Sequence, residues 1–331
     1  MKGCSRSMKI AVLGTGSIGM RHLGVIRDLG LGAVAVPIRK EREQTLKSGG
    51  WDTASSMEQA RDMGAVAAVI ATDTSRHVRD AETALGLGLS VLCEKPLAPT
   101  AAEALSLRAW SRPGAPVTAV GCCLRFDEGL RRLRDRLGDI GPLSSVRIEC
   151  RSYLPDWRPD TDFRRSYSAR AGEGGVLRDL IHEVDYALWL FGEPRAVSGR
   201  ILNRGILGIQ SEEQAEGIWE SPSGAMVSVG LDYLSRMPER FVRVSGDSGE
   251  IRYDFIQRKM TIRTPRQSEN EELISSLISD TYKEQLMEFL GSIAGETASR
   301  LATLEEGIRA LAVCDAWRMS SEEGRFVEVG K

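Results

Sequence analysis

The sequence predicts an α/β protein with two domains: an N-terminal doubly wound parallel sheet, and a C-terminal α+β domain with a large, open, mainly antiparallel sheet. Two observations predict the first domain. Short apolar runs alternate with stretches of helical periodicity over about the first 120 residues, and a glycine-rich turn directly follows the first run. A third observation predicts the second domain, because strand-like runs then follow one another with few helices between them.

The first domain is assigned to residues 1–122. Its apolar runs have the length and composition of buried parallel strands. They lie at Ile10 to Leu13, Ala33 to Ile38, Val66 to Ala71, Leu89 to Cys93 and Val117 to Gly121. Helical periodicity between the runs predicts crossover helices at Ile18 to Leu29, Val78 to Leu87 and Ala101 to Trp110. This rhythm is typical of the Rossmann type of doubly wound fold.

The second domain is assigned to residues 123–331. Its strand-like runs lie at Val146 to Cys150, Ala196 to Leu202, Glu213 to Trp219, Ala225 to Tyr233, Arg240 to Ser245, Glu250 to Tyr253 and Lys259 to Arg263. Two late helices are predicted at Tyr282 to Ile293 and Thr303 to Ser320, the second opening with a Thr303/Glu306 capping box. The sequence leaves open whether these helices pack back on the first domain.

The composition excludes several kinds of partner. The formal net charge is -2 at pH 7, so no general attraction to nucleic acid or to an anionic membrane is expected. No apolar run is long enough to cross a bilayer, and the N-terminus lacks the apolar core of a signal peptide. We therefore expect a cytoplasmic protein. A natural start at Met8, which would make residues 1–7 a disordered extension, stays open.

The cysteines predict neither disulfides nor a metal site. No CxxC pair and no Cys/His spacing suited to zinc occurs in the sequence. We interpret the thiols as reduced and structural. Cys93 precedes a motif described below, and a buried strand position explains it equally well. The six cysteines are Cys4, Cys93, Cys122, Cys123, Cys150 and Cys314.

A glycine-rich turn provides the candidate cofactor site. Gly14, Gly16 and Gly19 form GxGxxG between a predicted strand and a predicted helix. In that setting the first glycine permits a tight turn, the second lets the backbone approach a pyrophosphate, and the third permits close packing of helix on sheet. The N-terminal turn of the helix, with Ser17 and Ile18, offers N–H groups to the phosphates. A purely structural glycine turn is the alternative.

The end of the second strand predicts which nicotinamide cofactor binds. NAD-binding sites usually carry an acidic residue here, whereas this sequence has Arg39, Lys40 and Arg42. A guanidinium suits a 2′-phosphate, so NADP(H) is preferred over NAD(H), with Arg39 as the assigned contact. The alternative is that the three side chains are solvated charges on a first helical turn.

Thr72 and Asp73 end the third strand of the first domain. Ligands bind outside the carboxyl ends of the strands in such folds, so both residues are assigned to the cofactor. His77 follows them closely, and we interpret it as a helix-start residue and not as a catalyst.

A lysine follows the fourth strand. The strand ending at Cys93 runs into Glu94-Lys95-Pro96, which places Lys95 at the carboxyl edge of the sheet, near the expected position of the nicotinamide. The positive charge of an oxidised nicotinamide disfavours a second positive charge, so the pKa of Lys95 should fall toward the range useful for proton transfer. Pro96 would hold the turn, a cis bond being one way to do so. Glu94 and Lys95 are assigned to the cofactor site.

A histidine-bearing helix follows a glycine run at Gly172 to Gly175. On a continuous helix Asp179 and His182 are neighbours three residues apart, so Asp179 could orient the imidazole. A lone histidine on an amphipathic helix is more often structural than catalytic. The presence of the lysine motif favours catalysis for His182.

The ordered set of motifs resembles the Gfo/Idh/MocA family, named after glucose-fructose oxidoreductase and inositol dehydrogenase. The resemblance rests on the glycine turn, on Glu94-Lys95-Pro96 and on the glycine run before His182, and it covers nearly the whole chain. It implies an NAD(P)-dependent oxidoreductase acting on a sugar, in which Lys95 and His182 contact the substrate and share acid-base work during hydride transfer. A common family form is Asp-x-Gly-x-His, whereas this chain has Asp179-x-x-His182. The shorter spacing puts the role of the aspartate in doubt.

The segment from Arg151 to Arg170 interleaves aromatic residues with arginines and aspartates. Such side chains can stack on a sugar face, hydrogen-bond its hydroxyls and clamp an anion. Its Tyr-Leu-Pro-Asp-Trp-Arg-Pro part resembles the family branch found in surface-glycan and nonulosonic-acid pathways, which implies an acidic or nucleotide-activated sugar. An arm that packs on a partner subunit is the alternative. The substrate candidates are Tyr153, Trp157, Arg158, Tyr167 and Arg170.

Arg125 is a further substrate candidate. With Phe126 it matches a stretch that in the family often reads Asn-x-Arg-Phe or Asn-x-Arg-Tyr and touches substrate. Cys123 replaces the asparagine, which puts one sugar-hydroxyl contact in doubt. The arginines that follow are expected on a solvated helix face.

Two other functions remain compatible with the sequence. One is chemistry with a retained cofactor, such as epimerisation or elimination on a sugar. The other is a non-catalytic NADP-binding sensor, because one fold hosts many functions, although the presence of both Lys95 and His182 argues against it. The open sheet needs a cover on its exposed face, so we expect a homodimer or homotetramer formed sheet to sheet.

Overall fold

The computed structural model describes residues 8–265 and 267–330, so Cys4 and the extension predicted at residues 1–7 lie outside the described residues. The chain divides into two compact units. The first contains the described residues up to Cys123 together with Ser279–Ile308, and the second contains Leu124–Ile278 together with the residues from Arg309 onward. A segment near the C-terminus therefore belongs to the N-terminal unit.

The strands are numbered in chain order. They are β1 (Lys9–Leu13), β2 (Gly32–Val36), β3 (Asp52–Thr53), β4 (Ala65–Ile70), β5 (Ser90–Cys93), β6 (Thr118–Val120), β7 (Leu143–Tyr153), β8 (Ala196–Leu202), β9 (Gln214–Glu220), β10 (Met226–Asp232), β11 (Leu234–Gly246), β12 (Gly249–Asp254), β13 (Lys259–Thr264), β14 (Gln267–Leu273) and β15 (Val327–Glu328).

The α-helices are numbered in the same way. They are α1 (Ser17–Asp28), α2 (Glu41–Ser48), α3 (Met57–Asp62), α4 (His77–Gly86), α5 (Ala101–Ala104), α6 (Glu128–Arg136), α7 (Val176–Asp179), α8 (Ile181–Phe191), α9 (Ile278–Ile293) and α10 (Leu304–Glu323). No helix in the described part of the chain is long and apolar enough to cross a membrane.

The first unit is built on a six-stranded sheet with the order β3-β2-β1-β4-β5-β6. Every neighbouring pair in it is parallel, which confirms the predicted doubly wound sheet. Its central strands are buried on both faces, and this is why they appear in the sequence as uninterrupted apolar runs. The chain returns to the unit near its C-terminus, where Ala302 bridges to Val120 of β6.

Three local predictions for the first unit can be compared with the structure. The strand β3 was missed because two polar residues carry no periodic signal. The helix predicted over Ala101 to Trp110 is wrong beyond its first turn: α5 ends at Ala104 and a 3-10 helix, Leu105–Trp110, follows. The capping box at the start of α10 is confirmed, since Thr303 Oγ1 accepts from Glu306 N at 3.2 Å and Glu306 Oε2 accepts from Thr303 N at 2.8 Å.

The second unit contains a nine-stranded sheet with the order β14-β13-β12-β11-β7-β10-β9-β8-β15. Only the β7–β10 pair is parallel, which confirms the predicted mainly antiparallel sheet. The strands alternate buried and exposed residues, so one face is covered and the other is open. The polar β14 and the two-residue β15 were missed by the sequence prediction because neither shows alternating hydrophobicity.

The core of the second unit is aromatic. Trp219 and Trp317 are fully buried and meet edge to face, with ring centroids 6.4 Å apart. Gly199 and Gly217 make room for Trp317, because a Cβ on either would lie 2.2 to 2.5 Å from its indole atoms. Trp317 of α10 therefore packs tightly against the sheet, in the space that the two glycines leave.

Candidate functional site

The glycine turn after β1 has the three features that a dinucleotide turn requires. Gly14 has φ 89°, a conformation that favours glycine, and a Cβ there would lie 2.4 Å from the carbonyl oxygen of Ala71. A Cβ on Gly19 would lie 1.8 Å from the carbonyl oxygen of Gly14, so helix and strand approach as closely as their backbones permit. A Cβ on Gly16 would meet nothing within 4 Å. Only this middle glycine faces open space, where a ligand would lie.

The first turn of α1 can receive an anion. Gly16 is its N-cap without a side-chain cap, and no acidic residue occurs in its first turn. Ser17 is exposed and Ile18 is half-buried. Backbone N–H groups at such an end are not used within the helix, and the helix dipole favours negative charge there. The geometry therefore fits the pyrophosphate of a dinucleotide.

The strand order places this turn at the switch point of the sheet. β1 lies between β2 and β4, so the crossovers from its two neighbours run to opposite faces and leave a crevice at the carboxyl ends. Thr72 and Asp73 follow β4 on the other side of the crevice; Asp73 is exposed, and the hydroxyl of Thr72 donates to Asp80 at 2.9 Å. Thr72 is therefore held in place, while Asp73 is accessible.

The basic residues after β2 are accessible to a cofactor. Arg39, Lys40 and Arg42 are all exposed. Arg39 forms no ion pair with any residue that the structure describes. Its position beyond β2 is the one at which the adenosine ribose of a dinucleotide lies in such sheets.

The Glu94-Lys95-Pro96 turn follows β5 and contains a cis Lys95–Pro96 bond. Glu94 is buried, and its carboxylate accepts from the Lys95 backbone N–H at 3.2 Å and lies 2.7 Å from His22 Nε2. Burial raises the pKa of Glu94, but the contacts with His22 and Lys95 outweigh burial and lower it overall. Glu94 is thus a fixed negative charge next to Lys95, whose side chain is half-buried.

His77 holds this turn against the end of β4. It opens α4, as predicted, and its buried ring contacts Pro96 O through Nδ1 at 2.8 Å and Thr72 O through Nε2 at 2.9 Å. Burial lowers the pKa of His77 in spite of these carbonyl contacts. The ring connects two loops of the cofactor edge, a role that the sequence analysis did not assign.

In the second unit, Asp179 and His182 lie on different helical segments. The expected continuous helix is wrong: α7 ends at Asp179, Leu180 has φ −101° and ψ 24°, and α8 begins at Ile181. The three-residue spacing argument therefore does not apply. The carboxylate of Asp179 accepts from the hydroxyl of Tyr233 and interacts with Tyr167.

The Asp179 carboxylate affects the pKa of both tyrosines. Burial raises the pKa of Tyr167 and of Tyr233, and the charge of Asp179 raises each further. Both hydroxyls are therefore neutral donors at physiological pH. His182, the second residue of α8, is buried beside this segment in the chain.

The predicted substrate residues differ in how far their side chains are exposed. Trp157 keeps 38% of its surface exposed, and Arg158 and Arg170 are exposed. Tyr153 is half-buried beneath Arg236, whose guanidinium carbon lies 3.5 Å from the ring centroid and whose Nη2 donates to the hydroxyl at 2.8 Å. Tyr153 is thus held by a residue of β11.

Arg125 has a buried carboxylate partner. Its Nε and Nη2 donate to the two oxygens of Asp185 at 3.0 and 2.7 Å, and both side chains are 2% exposed. A bidentate pair in this setting is a structural element of the second unit. Substrate contact by Arg125 stays a prediction, and the pair limits the donors that it has left.

A cleft of about 590 Å³ opens beside Trp157 in the second unit. Its walls include Leu180, Phe255 and Ile256, and its charged lining is Arg151, Glu239, Arg240 and Arg258. The volume lies within the range of roughly 300 to 1,000 Å³ that small-molecule sites occupy. Among these residues the sequence analysis assigned only Trp157 to the substrate, because the others come from strands and turns far apart in the chain.

The fold and the glycine turn define a two-domain protein that binds a dinucleotide. Residues 8–112 match the oxidoreductase family with an NAD-binding Rossmann fold, and residues 130–252 match the GFO/IDH/MocA C-terminal domain. Together the two matches span more than half of the chain. The chain belongs to the Gfo/Idh/MocA family of NAD-binding oxidoreductases.

Known relatives act on polyols and sugars. The chain is 31% identical to an inositol 2-dehydrogenase of Leifsonia xyli subsp. xyli over 57% of this chain and 55% of that enzyme, so the match spans about half of the relative's length. It is 25% identical to a 1,5-anhydro-D-fructose reductase of Ensifer adhaerens over 85% of this chain and 84% of that one. An oxidoreductase from Agrobacterium radiobacter, solved with NAD⁺, L-tartaric acid and magnesium, has the same fold at 20% identity, with a TM-score of 0.84 over 98% of this chain and 99% of that one.

Proposed function

We propose that this protein transfers hydride between a nicotinamide cofactor and a CH–OH carbon of a sugar-type substrate. The observation that carries the proposal is the glycine turn, in which Gly14 and Gly19 are closed by backbone contacts while Gly16 faces open space at the switch point of the sheet. The Lys95 turn follows a strand of the same sheet. Cofactor site and candidate acid-base group therefore share one sheet edge.

Lys95 and His182 take the acid-base roles in this proposal. When bound, the nicotinamide supplies the hydride acceptor or donor. In oxidation the proposed role of these side chains is to accept the proton of the substrate hydroxyl, and in ketone reduction it is to return a proton to the new alkoxide oxygen. Glu94, His22 and His77 hold the turn that carries Lys95.

NADP(H) is the preferred cofactor in our proposal, with Arg39 on the 2′-phosphate. The supporting observation is that Arg39 is exposed and that no described acidic side chain pairs with it. The NAD-binding character of the family makes NAD(H) the alternative. Arg39 is therefore the residue on which the proposed preference for NADP(H) over NAD(H) depends.

We also propose a homo-oligomer formed through the open face of the second sheet. Ile218 and Met226 lie on that face and are 37% and 45% exposed, although large apolar side chains are usually buried. A cytoplasmic location is part of the proposal and is supported by the cysteines: Cys93, Cys122, Cys123, Cys150 and Cys314 are all buried and unbridged.

The test is a turnover assay. Purified protein is mixed with NADP⁺ or NADPH, and separately with NAD⁺ or NADH, and with a panel of free, phosphorylated and nucleotide-activated sugars and polyols, while nicotinamide absorbance is followed. Lys95→Ala should lower the rate on an active substrate by about 10² to 10⁴, and Lys283→Ala, an exposed lysine of α9, should not. Tight cofactor binding without turnover across the panel would instead favour retained-cofactor chemistry or a sensor.

A further inference from the structure

The cleft of the second unit is built around an arginine with unused donors. Arg240 is 23% exposed, and its Nε donates to Oε1 of the fully buried Glu183 at 2.7 Å. Its guanidinium carbon lies 5.2 Å from the ring centroid of Phe255. Neither Nη1 nor Nη2 of Arg240 has a hydrogen-bond partner among the residues that the structure describes. The guanidinium is therefore held on one edge by a carboxylate and lies on an aromatic ring, with donors left for a ligand.

A second arginine of the cleft is held under backbone strain. Arg258 has φ 52°, and it alone among the described non-glycine residues has a positive φ. It is kept there by contacts with Asp127 and the Tyr253 hydroxyl, and by donating through Nη2 to the carbonyl oxygen of Ser276 at 2.8 Å. A conformation of this kind is unfavourable for a residue with a side chain and persists only where surrounding contacts enforce it. The turn between β12 and β13 is thus a rigid wall of the cleft.

Each arginine of the cleft carries its own counter-charge. Arg240 pairs with Glu183, and Arg258 pairs with Asp127. Arg151 and Glu239 also line the cleft, but the register pairs them on the open face of the sheet, opposite to Arg240 and Cys150, and there Arg151 contacts the carboxylates of Glu149, Glu216 and Asp232. Glu183 and Asp127 therefore balance the charges of Arg240 and Arg258. An anionic ligand would lose its hydration here without meeting an uncompensated positive charge, which is unfavourable.

The lining of the cleft also includes an aromatic surface. The indole N–H of Trp157 donates to Ser152 Oγ at 2.8 Å, and the ring meets Tyr233 edge to face at 5.4 Å. These two contacts fix the orientation of an indole that remains partly exposed and lines the cleft. The apolar face of a sugar ring stacks on surfaces of this kind, while its hydroxyls accept hydrogen bonds from a guanidinium.

We propose that this cleft binds an uncharged polyhydroxylated sugar ring, with Trp157 under its apolar face and Arg240 donating to its hydroxyl oxygens, and that it discriminates against carboxylated or phosphorylated sugars. The identification of the bound sugar as substrate rests on the proposed function; the binding site itself does not. This selectivity is opposite to the acidic sugar implied by the sequence resemblance of the 151–170 segment. The charge balance of the cleft is the reason for the difference.

The test is calorimetric titration of the full-length protein with matched pairs of neutral and anionic probes, with and without nicotinamide cofactor. The pairs are myo-inositol with its 1-phosphate, D-galactose with D-galacturonate, and D-glucose with its 6-phosphate. We expect at least one neutral member to bind at least about tenfold more tightly than its anionic partner. Trp157→Ala and Arg240→Gln should each weaken this binding by about tenfold.

Two control variants match these substitutions. Arg243→Gln changes an arginine of the same strand on its open face, and Trp51→Ala changes a tryptophan of the first unit; both should bind as the unaltered protein does. Asp127→Asn keeps an N-cap side chain for α6 but frees the charge of Arg258, so it should shift selectivity toward the anionic members. Circular dichroism of each variant verifies that it is folded.

Two results would overturn the proposal. One is tighter binding of an anionic member by the unaltered protein. The other is the absence of binding by every neutral probe at a Kd below about 10 mM. Because the titration measures binding and not turnover, a protein that binds neutral sugars but never changes nicotinamide absorbance would refute the dehydrogenase function and leave this inference standing.

Discussion

Nε2 of the buried His22 lies 2.7 Å from Oε1 of the buried Glu94, although 72 residues separate them in the chain. The contact connects α1, whose N-terminus belongs to the proposed cofactor site, to the residue that precedes Lys95. One buried polar pair therefore joins the glycine turn to the Lys95 turn in the first unit.

The His22–Glu94 pair should make the free energy of unfolding decrease at acidic pH. The pKa of Glu94 is lowered from its ordinary value of 4.5, and a carboxyl with a lowered folded-state pKa stabilises the fold above 4.5 and loses that contribution as the pH falls through the folded value. We expect Glu94→Gln to lower the free energy of unfolding by about 2 kcal/mol at neutral pH. Denaturation at several pH values measures it, with the exposed Glu322→Gln as control. A difference that persists unchanged well below pH 4.5 would contradict this account.

Gly16, the N-cap of α1, and the helix residues Gly19 and Gly24 should respond differently to substitution by alanine. Gly19→Ala should abolish cofactor binding and lower thermal stability, because its Cβ collides with the carbonyl oxygen of Gly14. Gly16→Ala should keep the fold but weaken nicotinamide cofactor binding at least about tenfold, since its Cβ enters the ligand space. Gly24→Ala, also without neighbours within 4 Å, is the matched control and should stabilise the helix by about 0.5–1 kcal/mol. Equal binding by Gly16→Ala and Gly24→Ala would place the dinucleotide elsewhere.

Arg39 should set the choice of cofactor. Arg39→Ala should raise the Kd for NADP(H) about tenfold and leave that for NAD(H) unchanged, because only the former carries a 2′-phosphate. Fluorescence titration with both cofactors measures it, and Arg61→Ala on α3 is the control for loss of an exposed arginine. If the unaltered protein binds NAD(H) more tightly than NADP(H), the preference proposed here is refuted.

His77 should contribute stability that is lost in mild acid. Burial lowers its pKa from 6.5, so the unfolded state takes up the proton first and stability falls as the pH drops below 6.5. His77→Gln removes this titration. We expect the melting temperature of the unaltered protein to exceed that of the variant above pH 6.5 and the gap to narrow below it. Melting curves recorded above and below pH 6.5 measure this difference. A difference in melting temperature that grows as the pH falls would contradict the lowered pKa of His77.

Oligomer formation through the open sheet face should depend on Ile218. Ile218→Asp puts a charge into the proposed interface, so light scattering after size exclusion should show a smaller particle. Val66→Asp changes a comparably exposed apolar residue of the first unit and should leave the size unchanged. An unchanged mass for both variants would exclude this face as the interface.

The sequence by itself determined the parallel sheet, the glycine turn and the order of the motifs. Each of these depends on interactions between residues close in the chain: a buried strand needs an apolar run, a tight turn needs Gly14, and a helix start needs a cap such as Thr303. Periodicity and local conformational preference carry that information directly.

Only the tertiary structure decided how the side chains pair. Asp179 is bonded to Tyr233, 54 residues away, and Arg240 to Glu183, 57 residues away. The break at Leu180 divides the helix that the sequence analysis took as continuous from Asp179 to His182, and their pairing stays a prediction. Buried polar groups in folded proteins are hydrogen-bonded, and here their partners lie far away in the chain. The spacing of residues within one segment therefore does not predict which residues pair. The charge balance of the cleft, and with it the kind of sugar that we propose as its ligand, therefore emerged only from the folded chain.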